Sequence, residues 1–480
     1  KLFIVPGKSK ISLDENLEAR FSHYNYLFLR LSFISKNYNS PNQEKRRRAE
    51  RFYKELIGEL PIDLRLVKDQ AHHLSMRIRA VIQPVTIRRN RLDLLKDPVY
   101  GEEVQDLSTV ENPKELFFEL SREQSSFYDR VIDEYFGEEG KFKGAIYQPF
   151  SYEKTKDIDE MDELENRAFQ QQRNLYDFMR RLLVKRFESS FGSFKRSIES
   201  FIRVHRCVNQ FIENSGGKYI LDRKLVERSY DLDPDGIEKM LEEFADRLST
   251  ERRPKNDRIY DVPSFEREKE FLSDIASDLA LFEEVHREIE RLGLVKNDPK
   301  ASKLINEITK ILNQGPNGDE PPRKLIIFSE YVDTVKHLAP LLEEYFPGMI
   351  LSVEGNLGSH LLEEILANFD ASIRPRNRRD DFRILLTSDK LSEGFNLNRA
   401  GTIINYDIPW NPTRVIQRLG RINRIGVKVF DKLMIYNFFP TEQGSTVVRS
   451  REIAGDKMFL IHNTLGEDAK IFDIDETPVP

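Results

Sequence analysis

Between residues 320 and 445, short apolar runs alternate with segments of helical periodicity, and few folds accept that alternation. Lys324-Leu-Ile-Ile-Phe-Ser329 has no polar residue at every second position, so as a strand it must be covered on both faces. Met349–Val353, Phe382–Thr387, Thr402–Asp407 and Lys432–Phe439 read as further strands. The intervening segments are helical: Val332, Val335, Leu338, Leu341 and Leu342 share one side of the first, Leu361–Phe369 forms the second, and Thr413–Asn423 the third. Strand–helix alternation of this kind predicts an α/β domain, a parallel sheet with flanking helices.

The preceding residues are organised differently. Residues 160–312 read as mostly helical, with Leu175, Phe178, Leu182, Phe187, Phe191, Phe194, Ile198 and Phe201 recurring at helical steps as a packing stripe. Asp298-Pro299 has the form of an N-cap followed by proline at the first helical position, opening a helix through Leu304, Ile308 and Leu312. Asn313–Pro322 is the linker into the first strand of the α/β domain. Earlier still, Glu115–Leu120 reads as a strand, Gln124–Tyr135 as a helix, and residues 137–160 as a flexible insertion.

Composition excludes several functions. No run of about 18 apolar residues is present, so no membrane span is predicted. The one cysteine, Cys207, cannot form an internal disulfide and suits a reducing, cytoplasmic setting. The eight histidines include no His-x-Lys pair and no metal-ligand spacing, so neither a phospholipase-D-type nuclease site nor a metal site is expected. The net charge is −6, yet arginines cluster at 46–48, 77–91 and 374–379, which leaves room for a local track along phosphates.

The chemistry is concentrated in Gln417-Arg-Leu-Gly-Arg-Ile-Asn-Arg-Ile-Gly426. A helix sets Gln417, Gly420, Arg421 and Arg424 on one face. Glycine allows close approach of another surface, and two arginines one turn apart can address one small anion. Phosphoryl transfer needs such donors, because charge spreads over the γ-phosphate oxygens in the transition state. Upstream, Thr387-Ser-Asp-Lys-Leu-Ser-Glu-Gly-Phe-Asn-Leu397 follows a buried strand, at the carboxyl edge where α/β sheets bind ligands. Ile403–Pro412 then leads into the arginine segment.

In this order and at these intervals the blocks resemble motifs V and VI of a superfamily II helicase, with Leu325–Tyr331 similar to motif IV and Trp410-Asn411-Pro412 similar to the Swi/Snf-like branch. The resemblance implies a RecA-like C-terminal helicase lobe over 313–450 and a tail over 451–480. Before the lobe it implies a helical insertion or brace over 137–312 and the end of a first RecA-like lobe over 1–136. It further implies that Arg421 and Arg424 are arginine fingers, and that Gln417, Gly420, Glu393, Gly394 and Asn396 face the nucleotide. Ser329, Thr387, Ser388, Trp410 and Asn411 would meet nucleic acid; the Trp-Asn-Pro element favours double-stranded DNA, and an RNA helicase of the same superfamily is the alternative. Two positions depart from the family pattern: Leu361-Leu-Glu-Glu364 is acidic where a basic residue is usual, and Val427-Lys428 stands where glutamine is usual.

A motor of this kind binds ATP and Mg2+ through a phosphate loop and an acidic box. Gly7-Lys8-Ser9 has Leu2 where such a loop needs glycine, and reads as a turn. The expectation is therefore that the nucleotide pocket belongs to a missing N-terminal motor lobe, and that these residues alone hold neither ATP nor Mg2+ and hydrolyse little. The helical insertion is a candidate surface for a protein partner, and a non-catalytic docking module is the alternative function from another class.

Overall fold

The structure is a computed structural model. It describes residues 23–82 in part, and 108–153 except 138, 163–222, 234–249, 258–354, 357–391, 394–409, 413–424 and 427–440. The expectations resting on Leu2–Ser9, Arg79 to Asp93, 154–162 and 451–480 lie wholly or largely outside the described residues or side chains. Contacts divide the chain into two units, one formed by residues 1–113 and 450–480, the other by 114–449.

In the first unit, helices α1 (Gln43–Leu56) and α2 (Leu64–Ile82) share a small core of Leu31, Ile34, Phe52, Tyr53, Val67 and Leu74. Arg48, from the predicted basic run, lies with its guanidinium 5.0 Å from the Phe33 ring centroid, so its stem covers apolar surface while its charge stays at the rim.

The second unit opens with strand β1 (Lys114–Phe118) and helix α3 (Arg122–Asp129), which Ser121 and Gln124 close with a reciprocal capping box. Two long helices follow, α4 (Glu163–Ser189) and α5 (Phe191–Asn214). The apolar stripe predicted from the sequence is buried except for the half-buried Phe178, but it is broken at Ser190. That residue takes an extended conformation, and its hydroxyl accepts from Ser193 N, which starts a new helix. Phe187 then meets Phe194 across the corner, with ring centroids 4.8 Å apart. A short antiparallel pair, β2 (Lys218–Leu221) and β3 (Arg258–Asp261), and helices α6 (Pro234–Ser249) and α7 (Glu268–Arg291) complete this helical layer. Asp298 caps helix α8 (Pro299–Asn313) through Lys300 N and Ala301 N, as its sequence predicts.

The α/β layer contains β4 (Leu325–Ser329), α9 (Val332–Tyr345), β5 (Ile350–Val353), α10 (Ser359–Phe369), β6 (Ile384–Ser388), β7 (Thr402–Asn405), α11 (Thr413–Ile422) and β8 (Lys432–Pro440). Its strands pair in the order β1-β8-β7-β4-β6-β5, all parallel. Every residue of β4, β6 and β7 is buried, which is why the interiors of those strands are apolar and polar residues stand only at their ends. This is the RecA-like α/β fold that the alternation predicts.

Two sequence expectations change here. The sequence places strand 115–120 at the end of a first lobe over 1–136, but Lys114–Phe118 pairs with Tyr436–Pro440 in the sheet of the C-terminal α/β layer, and the division between units falls at 113/114. Residues 137–153 are not a flexible insertion: Phe142, Ala145, Ile146, Tyr147 and Phe150 are buried. The Asp278 carboxylate holds that loop by accepting from Lys143 N at 2.7 Å and Ala145 N. The polar composition of the segment marks a loop surface, and its apolar residues are the part that packs. No helix among the described residues is long and apolar enough to cross a membrane.

Candidate functional site

Parallel pairing brings the carboxyl ends of β4, β6 and β7 level: Ser329 stands opposite Ser388, and Phe328 lies between Thr387 and Asn405. On this edge sits α11, whose buried face is Val415, Arg418, Leu419 and Ile422. An arginine within an apolar stripe must be paired, since leaving a guanidinium buried alone costs several kcal/mol, roughly 3–5. Arg418 is fully buried and its Nε donates to Asp389 Oδ1 at 2.6 Å. Its Nη1 donates to Asn405 Oδ1 at 2.9 Å and to the Asp407 carbonyl at 3.2 Å. Arg414, one turn earlier, reaches Asp389 Oδ2 at 3.1 Å. One carboxylate thus ties two turns of the helix to the end of β6.

Asp407 is the second anchor. Its Oδ2 accepts from the hydroxyls of Ser329 and Ser189, both at 2.5 Å, and its Oδ1 accepts from Glu330 N at 2.7 Å. Burial, and then the charge of Asp407, push the neighbouring Glu330 carboxyl up to about 7, with Lys185 opposing.

Arg421 and Arg424 are half-buried and lie where α11 ends. Arg421 donates to the carbonyls of Gln417 at 3.3 Å and Phe395 at 3.2 Å, and Arg424 Nη2 reaches the same Phe395 carbonyl at 3.5 Å. Leu397 N donates to the Arg421 carbonyl at 2.9 Å, closing the helix terminus against the loop after β6. That loop turns at Gly394, whose φ of +86° favours glycine. A Cβ placed on Gly420 would meet nothing within 4 Å, so this side of the helix faces open space among the described residues.

The structure therefore brings Arg421, Arg424, Gln417, Gly420, Gly394 and Asn396 to one end of the sheet. It treats other expected site residues differently. Ser329, Thr387 and Ser388 are buried rather than displayed to a nucleic acid. The Ser329 hydroxyl is committed to Asp407, and the Thr387 hydroxyl donates to the Ser388 carbonyl. The Ser388 hydroxyl is buried without a hydrogen-bond partner among the described residues. Glu393, Trp410 and Asn411 lie outside the described residues. Sequence reasoning gave no role to Arg418, Asp389 or Asp407. The available signal was an arginine three residues after Val415 and four before Ile422, inside the apolar stripe of the helix. Among the described residues no group of three His, Cys, Asp or Glu side chains is arranged to hold a metal ion. The carboxylates of Asp389 and Asp407 are bound to arginines and hydroxyls.

Residues 300–426, which contain this whole edge, match the helicase conserved C-terminal domain. Over 140 residues the chain is 32% identical to the "Uncharacterized ATP-dependent helicase YqhH" of Bacillus subtilis, covering 29% of this chain and 21% of that protein. It is 27% identical over 177 residues to the CHD3-type chromatin-remodeling factor CHR7 of Arabidopsis thaliana, covering 36% and 13%. The chain carries the C-terminal portion of a Swi/Snf-like superfamily II helicase. This helicase portion is also 30% identical over 181 residues to the Chromodomain-helicase-DNA-binding protein 3 homolog of Caenorhabditis elegans, covering 35% and 9%. The matched stretches are thus a small part of the length of these relatives. Among solved structures, the helicase portion is similar to the C-terminal part of the Fun30 ATPase domain at 13% identity, covering 72% of this chain and 90% of that one with a TM-score of 0.33.

Proposed function

We propose that this helicase lobe is the rear half of an ATP-driven DNA translocase, in which Arg421 and Arg424 meet the γ-phosphate of a nucleotide gripped, with its Mg2+, by a preceding lobe. The observation that carries the reading is the convergence of both guanidinium groups on the single carbonyl of Phe395. A phosphate oxygen would form shorter, charge-assisted bonds with both. Arg418 and Asp389 supply a fixed base from which the pair is presented, so little reorganisation accompanies the transition state. No carboxylate pairs with Arg424 among the described residues, and its Nε is buried without a hydrogen-bond partner there. DNA as the track is supported by the names of the chromatin-remodelling and DNA-binding relatives.

The test is Arg424→Ala in the full-length protein. DNA-stimulated turnover should fall about 10³-fold while ATP binding is largely kept; normal turnover would remove the finger role. Greater stimulation by RNA than by duplex DNA would overturn the DNA assignment alone.

A further inference from the structure

Helix α4 runs the length of the helical layer and ends on the sheet edge that carries the arginine helix, where it delivers one hydroxyl. Ser189 is fully buried, and its Oγ donates to Asp407 Oδ2 at 2.5 Å. With its proton used there, Ser189 accepts from the buried Thr334 hydroxyl of α9 at 2.9 Å. Asp407 in turn holds Arg418 through its carbonyl at 3.2 Å, and its Oδ1 lies 4.0 Å from Arg418 Nη2. Arg421 follows Arg418 by one helical turn.

The end of α4 is itself firmly held. Lys300 Nζ donates to the last carbonyls, Glu188 at 2.8 Å and Ser189 at 2.7 Å, where the helix carries partial negative charge. The same ammonium lies 4.2 Å from the centroid of Tyr406, the residue before Asp407. Arg186 lies 4.2 Å from the centroid of Tyr331 and donates to Ser193 Oγ, which joins the last turn of α4 to α5 and to the lobe. An apolar contact would suffice to pack a helix end. Here the orientation of one buried carboxylate is set by donors from two places, α4 through Ser189 and the end of β4 through Ser329 and Glu330 N, while Arg418 of α11 holds the main-chain carbonyl of the same residue. A shift of α4 therefore unpairs or rotates the Asp407 side chain, whose Oδ1 lies 4.0 Å from Arg418 Nη2, and disturbs the residue whose carbonyl Arg418 holds.

We infer that Ser189 is a positioning residue for the arginine pair, and that the helical layer sets the aim of α11 through Asp407 and Arg418. The inference rests on the proposed nucleotide-facing role of Arg421 and Arg424. In the full-length protein, Ser189→Ala should lower kcat for DNA-stimulated ATP hydrolysis about tenfold, with KM for ATP unchanged. The same substitution in a background lacking both arginines, Arg421→Ala with Arg424→Ala, should add little, because the groups it aims are gone. Should Ser189→Ala fail to fold, Thr334→Val tests the same chain from behind, with a smaller kcat loss in the same direction. A defective Arg424→Ala beside a fully active Ser189→Ala would overturn this inference and leave the finger reading standing. Losses that simply multiply in that combined variant would also overturn it, by placing the effect of Ser189 elsewhere. Normal turnover of Arg424→Ala would instead sink the finger reading and this inference together.

Discussion

Arg418 and Asp389 form a buried ion pair at 2.6 Å, Nε to Oδ1, directly beneath the helix turn that presents Arg421. Arginines three residues apart on α11 thus have opposite duties. Arg418 faces inward, its guanidinium 5.2 Å from the Phe328 ring centroid and tied to the ends of β6 and β7. Arg421 and Arg424 lie against the loop after β6, where both donate to the Phe395 carbonyl. The inward arginine fixes the platform, and the outward pair does the chemistry proposed for it.

That division predicts unequal costs of removal. Arg418→Met strands a buried carboxylate arrangement and should destabilise the chain by about 3–5 kcal/mol. Arg424→Met gives up one long hydrogen bond to a carbonyl and should cost less than about 1 kcal/mol. Urea unfolding of the two variants measures the difference, and equal losses would contradict the assignment of roles.

Gly420 gives a test in which folding and function separate. It is helical and its missing Cβ faces open space, so Gly420→Ala should raise stability by about 0.5–1 kcal/mol through helix propensity. In the full-length protein the added methyl would stand where a nucleotide-bearing surface approaches, and ATP turnover should fall. A variant that is more stable and fully active would show that no surface closes on this face.

Asp278 sets a pH dependence in the helical layer. Burial raises its carboxyl to about 7 against an ordinary value of 3.8, although Lys143, Ala145 and Gly144 donate backbone N–H groups that pull it down. Because the folded value lies above the unfolded one, the contribution to stability is complete below about pH 4 and is lost as pH rises through about 7. Asp278→Asn should flatten that part of the profile when thermal midpoints are compared from pH 4 to 8. An unchanged slope would mean that the ionised form is already accommodated in the loop that Asp278 holds.

Local pattern alone made much of this molecule legible. The buried strands from Leu325 to Asn405 have apolar interiors with polar residues only at their ends, the Asp298-Pro299 cap names its own helix start, and the spacing of Gln417, Gly420 and Arg421 gathers them on one helical face, with Arg424 just past its end. Those features follow from periods of 2 and 3.6 residues and from capping chemistry, which a sequence displays directly. Which arginine turns inward was settled by Asp389 and Asp407, residues 29 and 11 positions away from Arg418 that meet it only when parallel strands come level. Likewise, Lys114–Phe118 looks like any short strand until β8 offers its edge, and Ser189 looks like any helix terminus until Asp407 lies opposite. The sequence determined the elements and the outward chemistry of α11. The tertiary structure alone decided the buried pairings, because a carboxylate's partner is fixed by distance through space and not by spacing along the chain.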